Sequence, residues 1–156
     1  VLEACGRVAP LHQLQPPLST RGTRIVDSNG EVVSLQCVNW YGSHQRSFAP
    51  GGLHSTPLCD IVARIVELGF NCVRLPYSLD LWYQDPLIPD YAVAGNPALR
   101  GLRAMQVFDV VVRGLAAAGL GVMLNNHNSE AGFCCSVGEE DSLWSTREYP
   151  AEAWVE

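Results

Sequence analysis

Five residues with polar or aromatic side chains stand in or just after short apolar runs of this sequence. They are Asn39, Trp40, Arg74, Asn126 and His127. In parallel α/β folds, the groups that do chemistry gather at the carboxyl ends of the strands. An indole can stack on the apolar face of a sugar ring, imidazole and amide groups can bind hydroxyls, and a guanidinium can hold a carboxylate bidentately and keep it ionised. The set therefore favours a neutral ligand rich in hydroxyl groups.

Other aromatic residues in the same region allow more than one interpretation. Tyr77 lies just past a predicted strand end and could face either a cleft or the solvent. Trp40 could instead be a core residue, because tryptophan is largely buried on average. We expect Trp144 and Trp154 to be structural.

The elements that must position these residues begin with a hairpin. Two β-type runs, at residues 24–26 and 32–35, flank Asp27-Ser28-Asn29-Gly30, whose Asn and Gly tolerate the positive φ of a tight turn. Residues 13–20 are polar and contain proline, which is typical of a connection. We interpret residues 1–17 as a tail or linker and residues 18–156 as the folded domain.

Strands and helices alternate after the hairpin. Thr56-Pro57 and Asn96-Pro97 each resemble a helix N-cap followed by the first helical residue, and an apolar stripe at helical spacing follows each pair. Near Pro150 we expect a further helix to begin. Short apolar strands are predicted at residues 37–39, 72–76 and 121–124.

This alternation predicts an α/β fold with a parallel sheet covered by helices. A closed barrel and an open, doubly wound sheet both fit the alternation. A nucleotide-binding open sheet is disfavoured, because no glycine-rich turn follows the first strand.

Composition excludes several classes of partner. The formal net charge of −6 argues against nucleic acid, because phosphate binding needs clustered positive charge. The sequence has no run of 18 apolar residues, so we predict no membrane span. The first residue is Val1, and residues 1–17 do not resemble a signal peptide. We expect that a leader has been removed or that the chain is a piece of a longer product.

Six irregularly spaced cysteines fit either redox compartment and leave their pairing open. His127 with Cys134-Cys135 would be a poor zinc set, because adjacent cysteines chelate badly and the ligands are few. We expect one of those cysteines to be free or in a disulfide, and we predict neither a metal nor a cofactor.

An ordered series of motifs resembles the start of a family 5 glycoside hydrolase, the cellulase type. It runs from residues 18–27 through Asn39-Trp40-Tyr41-Gly42, residues 69–78 and residues 119–128 to Leu143-Trp144. The resemblance covers roughly residues 18–156, which is nearly the whole chain. It implies the first three units of a TIM (β/α)₈ barrel, in a secreted, monomeric enzyme that hydrolyses β-linked polysaccharide with retention.

The resemblance also implies roles for individual residues. Arg74 matches the arginine that holds the nucleophile, His127 the histidine near the reacting sugar, and Trp40 an aromatic of the cleft. We expect further substrate contacts from Asn39, Tyr77 and Asn126.

The sequence departs from the family pattern at two positions and lacks a match for the catalytic residues. Cys37 stands where a glycine is usual, and Asn125 stands where an aspartate is frequent. The two catalytic glutamates of the family end its fourth and seventh strands, and neither matches a residue of this sequence. We therefore expect the chain by itself to be inactive.

A rival hypothesis is a non-catalytic carbohydrate-binding or vestigial barrel fragment. Such a fragment would keep the binding residues Trp40, Arg74 and His127 but would lack the two catalytic glutamates. An Asn-Glu-Pro within a few tens of residues downstream would favour the enzyme.

Overall fold

A three-stranded parallel sheet is the centre of the fold in the computed structural model, which describes residues 14–133 and 143–154. Its strands lie in the order β3 (Cys37–Asn39), β4 (Cys72–Ser78) and β5 (Gly121–Asn128). Residue pairs in register include Asn39 with Arg74 across β3 and β4, and Arg74 with Met123 across β4 and β5. Because side chains alternate along a strand, each face of the sheet collects every second residue.

Helices connect the strands. The connection from β3 to β4 contains α1 (Leu58–Glu67), and that from β4 to β5 contains α2 (Leu79–Gln84) and α3 (Ala104–Ala117). Short 3₁₀ segments cover Asp90–Val93, Pro97–Leu99 and Ala151–Trp154. No helix in the described part of the chain is long and apolar enough to cross a membrane.

One face of the sheet is covered by α1 and α3. Val73 and Leu75 of β4 are fully buried there, and helix residues such as Val62, Val107 and Val111 pack in the same core. These residues recur at the spacing that puts them on one side of each helix, which explains why both helices lie on the sheet. Arg74, between Val73 and Leu75, must point to the opposite face.

The predicted hairpin is correct in its turn but forms no full ladder. The strand at Arg24–Val26 (β2) has its ladder with Ser19–Arg21 (β1), and the Val33 N–H donates to the Ile25 carbonyl. The predicted turn at residues 27–30 does reverse the chain, but Val32 forms only an isolated bridge with Val26. β1 was missed because its residues are polar and exposed, so no apolar alternation marks them.

Residues 14–17, interpreted from sequence as the end of a tail, contact the folded part. Gln15 accepts a hydrogen bond from the Ser28 backbone N–H, and Leu14 lies against Gly121 at the start of β5. Nearby, Asn71 joins the starts of the strands. Its side chain accepts from Gln36 N–H and donates to the Ser34 carbonyl, both within 3 Å.

Both predicted helix starts need correction. The α1 helix has Pro57 at its N-cap instead of Thr56, and the carboxamide oxygen of Asn96 accepts from the Leu58 N–H at 2.7 Å. Asn96 was predicted to begin the next helix, but α3 starts at Ala104. There, the Asp85 carboxylate accepts from the Met105 N–H at 2.8 Å. Each helix is therefore capped by a residue distant in the sequence, which local spacing does not reveal.

The predicted strands are in place, but two of them continue further. The short strand at Cys37–Asn39 is as predicted, whereas β4 runs to Ser78 and β5 to Asn128. The α2 helix was predicted as loop. Residues 155–156, part of the helix expected near Pro150, and Cys134-Cys135 lie outside the described residues.

Candidate functional site

Three polar side chains meet on the face of the sheet that the helices do not cover. The Arg74 guanidinium donates from Nη1 to Asn39 Oδ1 at 3.4 Å, and its Nη2 lies 3.5 Å from Nδ1 of His127. The pairing register explains the first contact, because Asn39 and Arg74 are direct neighbours on β3 and β4. A bulge near Tyr77 and Ser78 precedes the pairing of Ser78 with Asn128, one residue beyond His127. The sequence pattern predicts that Asn39, Trp40, Arg74 and His127 converge, and the structure brings Asn39, Arg74 and His127 together.

The Arg74 contact decides which nitrogen of His127 carries the proton. A guanidinium has only donors, so this contact favours the tautomer in which His127 Nδ1 accepts and Nε2 carries the hydrogen. Burial, and then the nearby positive charge of Arg74, lower the pKa of His127 below its ordinary value of 6.5. His127 is therefore a neutral imidazole at pH 7 that presents an N–H donor from Nε2.

A second histidine, His44, belongs to the same cluster and was missed from the sequence. It is 5% exposed, and its ring meets His127 edge-on, with centroids 4.7 Å apart and an interplanar angle of 68°. Its Nδ1 is buried without a hydrogen-bond partner. Burial, then His127 and Arg74, lower the pKa of His44 to about 4. It follows a strand end in an irregular loop, where no periodicity marks it.

Arg74 makes no ion pair in the part of the chain that the structure describes. The ion pairs found there join Arg64 to Glu67 and Arg113 to Asp109, all on exposed side chains. Arg74 is half-buried and has only neutral neighbours, Asn39 and His127. It is therefore available to an anionic group.

Trp40 lies elsewhere than the sequence prediction placed it. It is 7% exposed within the hydrophobic core, and its indole N–H donates to the Gly51 carbonyl at 2.7 Å. Its faces are taken up by packing, so the structure favours the core alternative over a cleft-lining role. The adjacent Tyr41 is 61% exposed and is the freely accessible ring of this loop.

Tyr77 lies away from the cluster of Asn39, Arg74 and His127. It belongs to β4 three residues after Arg74 and therefore projects from the other face, where its ring packs edge-on against Phe108 at 6.0 Å. Burial raises the pKa of Tyr77 above its usual value of 10. The sequence had left this orientation open.

Asn126 lies beside the cluster, in a cleft at the end of β5. The other residues that line this cleft are His127, Asn128, Ser129, Leu143, Trp144 and Trp154. Against the expectation that they are structural, Trp144 and Trp154 are 67% and 42% exposed. The carboxamide oxygens of Asn126 and Asn128 are buried and have no partner.

Comparison with known proteins decides the family. The sequence model of "Cellulase (glycosyl hydrolase family 5)" matches residues 26–156. The chain belongs to glycosyl hydrolase family 5. A "glycosyl hydrolase 5 family protein" of Chamaecyparis obtusa is 36% identical over 95% of the chain and 29% of its own length. The "major extracellular endoglucanase" of Xanthomonas campestris is 31% identical over 85% of the chain and 26% of its own length.

Solved structures of family 5 enzymes have the same fold in the matched part. The catalytic domain of the Xanthomonas campestris endoglucanase superposes with a TM-score of 0.76 at 29% identity, over 89% of this chain and 38% of that one. A Pyrococcus horikoshii endocellulase in complex with cellotetraose gives 0.75 at 25% identity, over 88% and 36%. The family 5 chain described here thus spans about a third of the length of these relatives.

One of the two departures from the family pattern has a structural explanation. Cys37, where the family usually has glycine, is disulfide-bonded to Cys72, its direct neighbour across β3 and β4. The bond lies on the same face as Arg74, two residues before the Asn39 and Arg74 pair. At Asn125, where aspartate is frequent, the carboxamide donates to the Asn126 carbonyl. The described residues hold no group of three or more metal-ligating side chains.

Proposed function

We propose that this chain supplies part of the substrate-binding wall of a retaining glycoside hydrolase that acts on β-linked glucans. Family membership supports the reaction class. The observation that carries the proposal is an unpaired guanidinium next to a neutral histidine on the open face of the sheet. A retaining glycosidase cleaves the bond between two carboxyl groups, one of which must stay ionised, and a guanidinium nearby favours that ionised form.

Each member of the cluster has a task in this proposal. The Arg74 guanidinium orients one catalytic carboxylate and keeps it ionised by charge-assisted hydrogen bonds. His127 donates its Nε2–H to a sugar hydroxyl, and the Asn39 carboxamide, which already accepts from Arg74, has N–H donors to spare. Asn126 lines the adjacent cleft and extends the binding surface. The catalytic glutamates are assigned to no residue of this chain.

The architecture that we propose is the first three units of a (β/α)₈ barrel, with residues 18–156 as its N-terminal part. In the described sheet the strands follow one another in chain order and their connecting helices cover the same face. A barrel has this arrangement throughout, and so does one half of a doubly wound sheet. Family membership and the superposition on family 5 catalytic domains support the barrel.

Substrate and location are proposed from the relatives. The Pyrococcus relative was solved with cellotetraose, and the Xanthomonas relative is named extracellular. We propose the same class of substrate and an extracellular, monomeric enzyme. A disulfide between two strands is compatible with an oxidising compartment.

The test uses the protein encoded by the whole reading frame that contains this chain, assayed on carboxymethylcellulose and cello-oligosaccharides. Arg74→Met should lower kcat/KM at least about a hundredfold, because a preorganised donor to a reacting group is lost. Arg113→Met is the matched control, since Arg113 is exposed on a helix surface. Equal activity of both variants would remove Arg74 from the mechanism, and no hydrolysis by the wild type would refute the enzyme.

The second candidate is a non-catalytic carbohydrate-binding fragment. It is favoured by the cleft beside His127, which combines exposed tryptophans with amide groups without a carboxylate. It predicts that the 156-residue chain binds cellotetraose in calorimetry. It also predicts that the whole reading frame encodes no pair of glutamates at strand ends.

A further inference from the structure

Asp80 joins two loops that the sequence keeps far apart. It is the second residue of α2, directly after β4, and its carboxylate accepts from the Ala131 N–H at 2.7 Å and from the Gln84 side chain at 2.6 Å. It also accepts from the Tyr149 hydroxyl, and its own N–H donates to the Ser129 carbonyl. A single half-buried carboxylate thus fixes the loop after β5 and the segment around Tyr149.

The loop that Asp80 fixes leads to the histidine cluster. Gly132, next to Ala131, donates its N–H to the His44 carbonyl at 3.1 Å. The Asn128 carboxamide donates to the carbonyls of Gly132 and His44, at 3.1 and 3.4 Å. His44 in turn packs edge-on against the His127 ring. Asp80 is therefore connected to His127 through three consecutive contacts.

Helix capping does not explain the carboxylate. The Ser78 hydroxyl already accepts from the Leu81 N–H and caps α2. No positively charged partner neutralises Asp80 in the described part of the chain. Two of the three groups that donate to the carboxylate, the Ala131 N–H and the Tyr149 hydroxyl, lie outside α2, so Asp80 joins separate loops.

We propose that Asp80 is a positioning residue that fixes the loop at residues 129–132 and thereby holds His44 against His127. The physical claim concerns this chain alone; its catalytic meaning rests on the proposed function. Asp80 contacts neither Arg74 nor His127, and it acts on them only through the loop. The Tyr149 bond extends the same support to the segment that carries Trp144 and Trp154. The Tyr149 ring also stacks on Tyr83, with centroids 5.5 Å apart.

The test is nuclear magnetic resonance of the 156-residue chain, with the histidine ring nitrogens and the Ala131 amide as probes. In the wild type, His127 should be the Nε2–H tautomer, and the Ala131 amide should be protected from hydrogen exchange. Asp80→Ala should accelerate Ala131 exchange about tenfold or more, because a charge-assisted hydrogen bond is lost. It should also move the His127 pKa toward 6.5, because the released loop admits water to the ring.

Two variants separate positioning from general loss of stability. Asp80→Asn should restore most of the wild-type behaviour, since one oxygen can still accept from Ala131 while Tyr149 and Gln84 can reverse their hydrogen bonds. Gln84→Ala is the control, because it removes a partner of Asp80 on the same helix and leaves the loops joined. Its histidine signals should match those of the wild type.

The proposal is overturned if Asp80→Ala leaves the His44 and His127 signals unchanged, or if Gln84→Ala shifts them equally. If Asp80→Ala does not fold, an unprotected Ala131 amide in the wild type overturns the proposal, and a protected one that Asp80→Asn retains together with the wild-type histidine signals supports it. None of these measurements depends on hydrolysis. The role of Asp80 can therefore be tested even if the proposed enzyme activity is absent.

Discussion

The two faces of the sheet use neighbouring residues of the same strands in opposite ways. On the face that α1 and α3 cover, Val73 and Leu75 are completely buried among aliphatic side chains. On the other face, Arg74 lies between them in sequence and is held by single hydrogen bonds at 3.4 and 3.5 Å. The covered face is stabilised by the burial of apolar area. The open face relies on register, a disulfide and contacts from loops.

This difference separates stability from chemistry within one strand. The covered face buries aliphatic side chains around Val73 and Leu75, whereas the histidine cluster contains a buried polar atom, His44 Nδ1, that lacks a partner. Substitutions on the two faces should therefore differ in what they change, and the following predictions test this from the largest expected effect to the smallest.

The largest expected difference between the two faces is in the effect of Leu75 and Met123 on stability. Leu75→Ala should lower the free energy of unfolding by about 2–5 kcal/mol, because it removes buried methyl groups and leaves a cavity. Met123→Ala, on the open face and 46% exposed, should cost less than about 1 kcal/mol. Urea denaturation measures both, and similar losses would mean that the faces do not differ in this way.

The disulfide between Cys37 and Cys72 should also stabilise the sheet, on the open face. Replacing Cys37 and Cys72 together by alanine should lower the free energy of unfolding by roughly 2–4 kcal/mol, because the bond closes a loop between residues 35 positions apart. The double variant isolates this bond, which reduction of all cysteines would not. An unchanged denaturation midpoint under oxidising conditions would contradict a structural role for the bond.

Acid should weaken the open face selectively. His44 has a folded pKa of about 4 against 6.5 when unfolded, so the unfolded chain binds the proton more readily. Stability is then fully present above pH 6.5, falls as the pH drops to about 4, by roughly 1–3 kcal/mol, and changes no further below that from this group. His44→Phe should reduce the slope in this window to the part due to His127, whose pKa is also lowered, and His54→Phe, at an exposed histidine, is the control. A profile that keeps its slope in His44→Phe would assign the effect to another group.

The smallest effect concerns how α1 begins. Asn96→Ala should cost about 1–2 kcal/mol, because the Leu58 N–H loses its acceptor. Thr56→Ala, the substitution that the sequence prediction singles out, should cost a few tenths of a kcal/mol. Thermal denaturation of the two variants measures which loses more stability. A larger loss in Thr56→Ala than in Asn96→Ala would support Thr56 as the cap of α1.

The covered face could be predicted from the sequence because hydrophobic spacing repeats there. The strand at residues 37–39 is confirmed, and both long helices were recognised by their apolar stripes. The stripe misled at the start of α3, since Leu99 keeps the helical spacing but lies in a 3₁₀ turn. Gly101, with a φ of +73°, separates that turn from the helix.

The candidate site could be predicted only in part. That Arg74 and His127 lie close together could be predicted because parallel strands bring their ends together, whereas their roles were predicted from the family resemblance. His44 and Asp80 could not be found, because their roles depend on the path of loops, which has no period. The orientation of Tyr77 depends on strand alternation beyond the apolar run at residues 72–76, and no residue pattern there marks where β4 ends.

The first turns of α1 and α3 are both capped by residues of the connection between β4 and α3, so both turns depend on that connection being in place. Asn96 completes the first turn of α1, and its amide also donates to the carbonyls of Leu53 and Thr56. Asp85 completes the first turn of α3. A peptide of residues 56–69 alone should therefore fray at its N-terminus, and the two helices should lose their first turns together whenever the segment at residues 85–96 detaches. The connection thus acts as a cooperative unit that reports the folding of both helices at once.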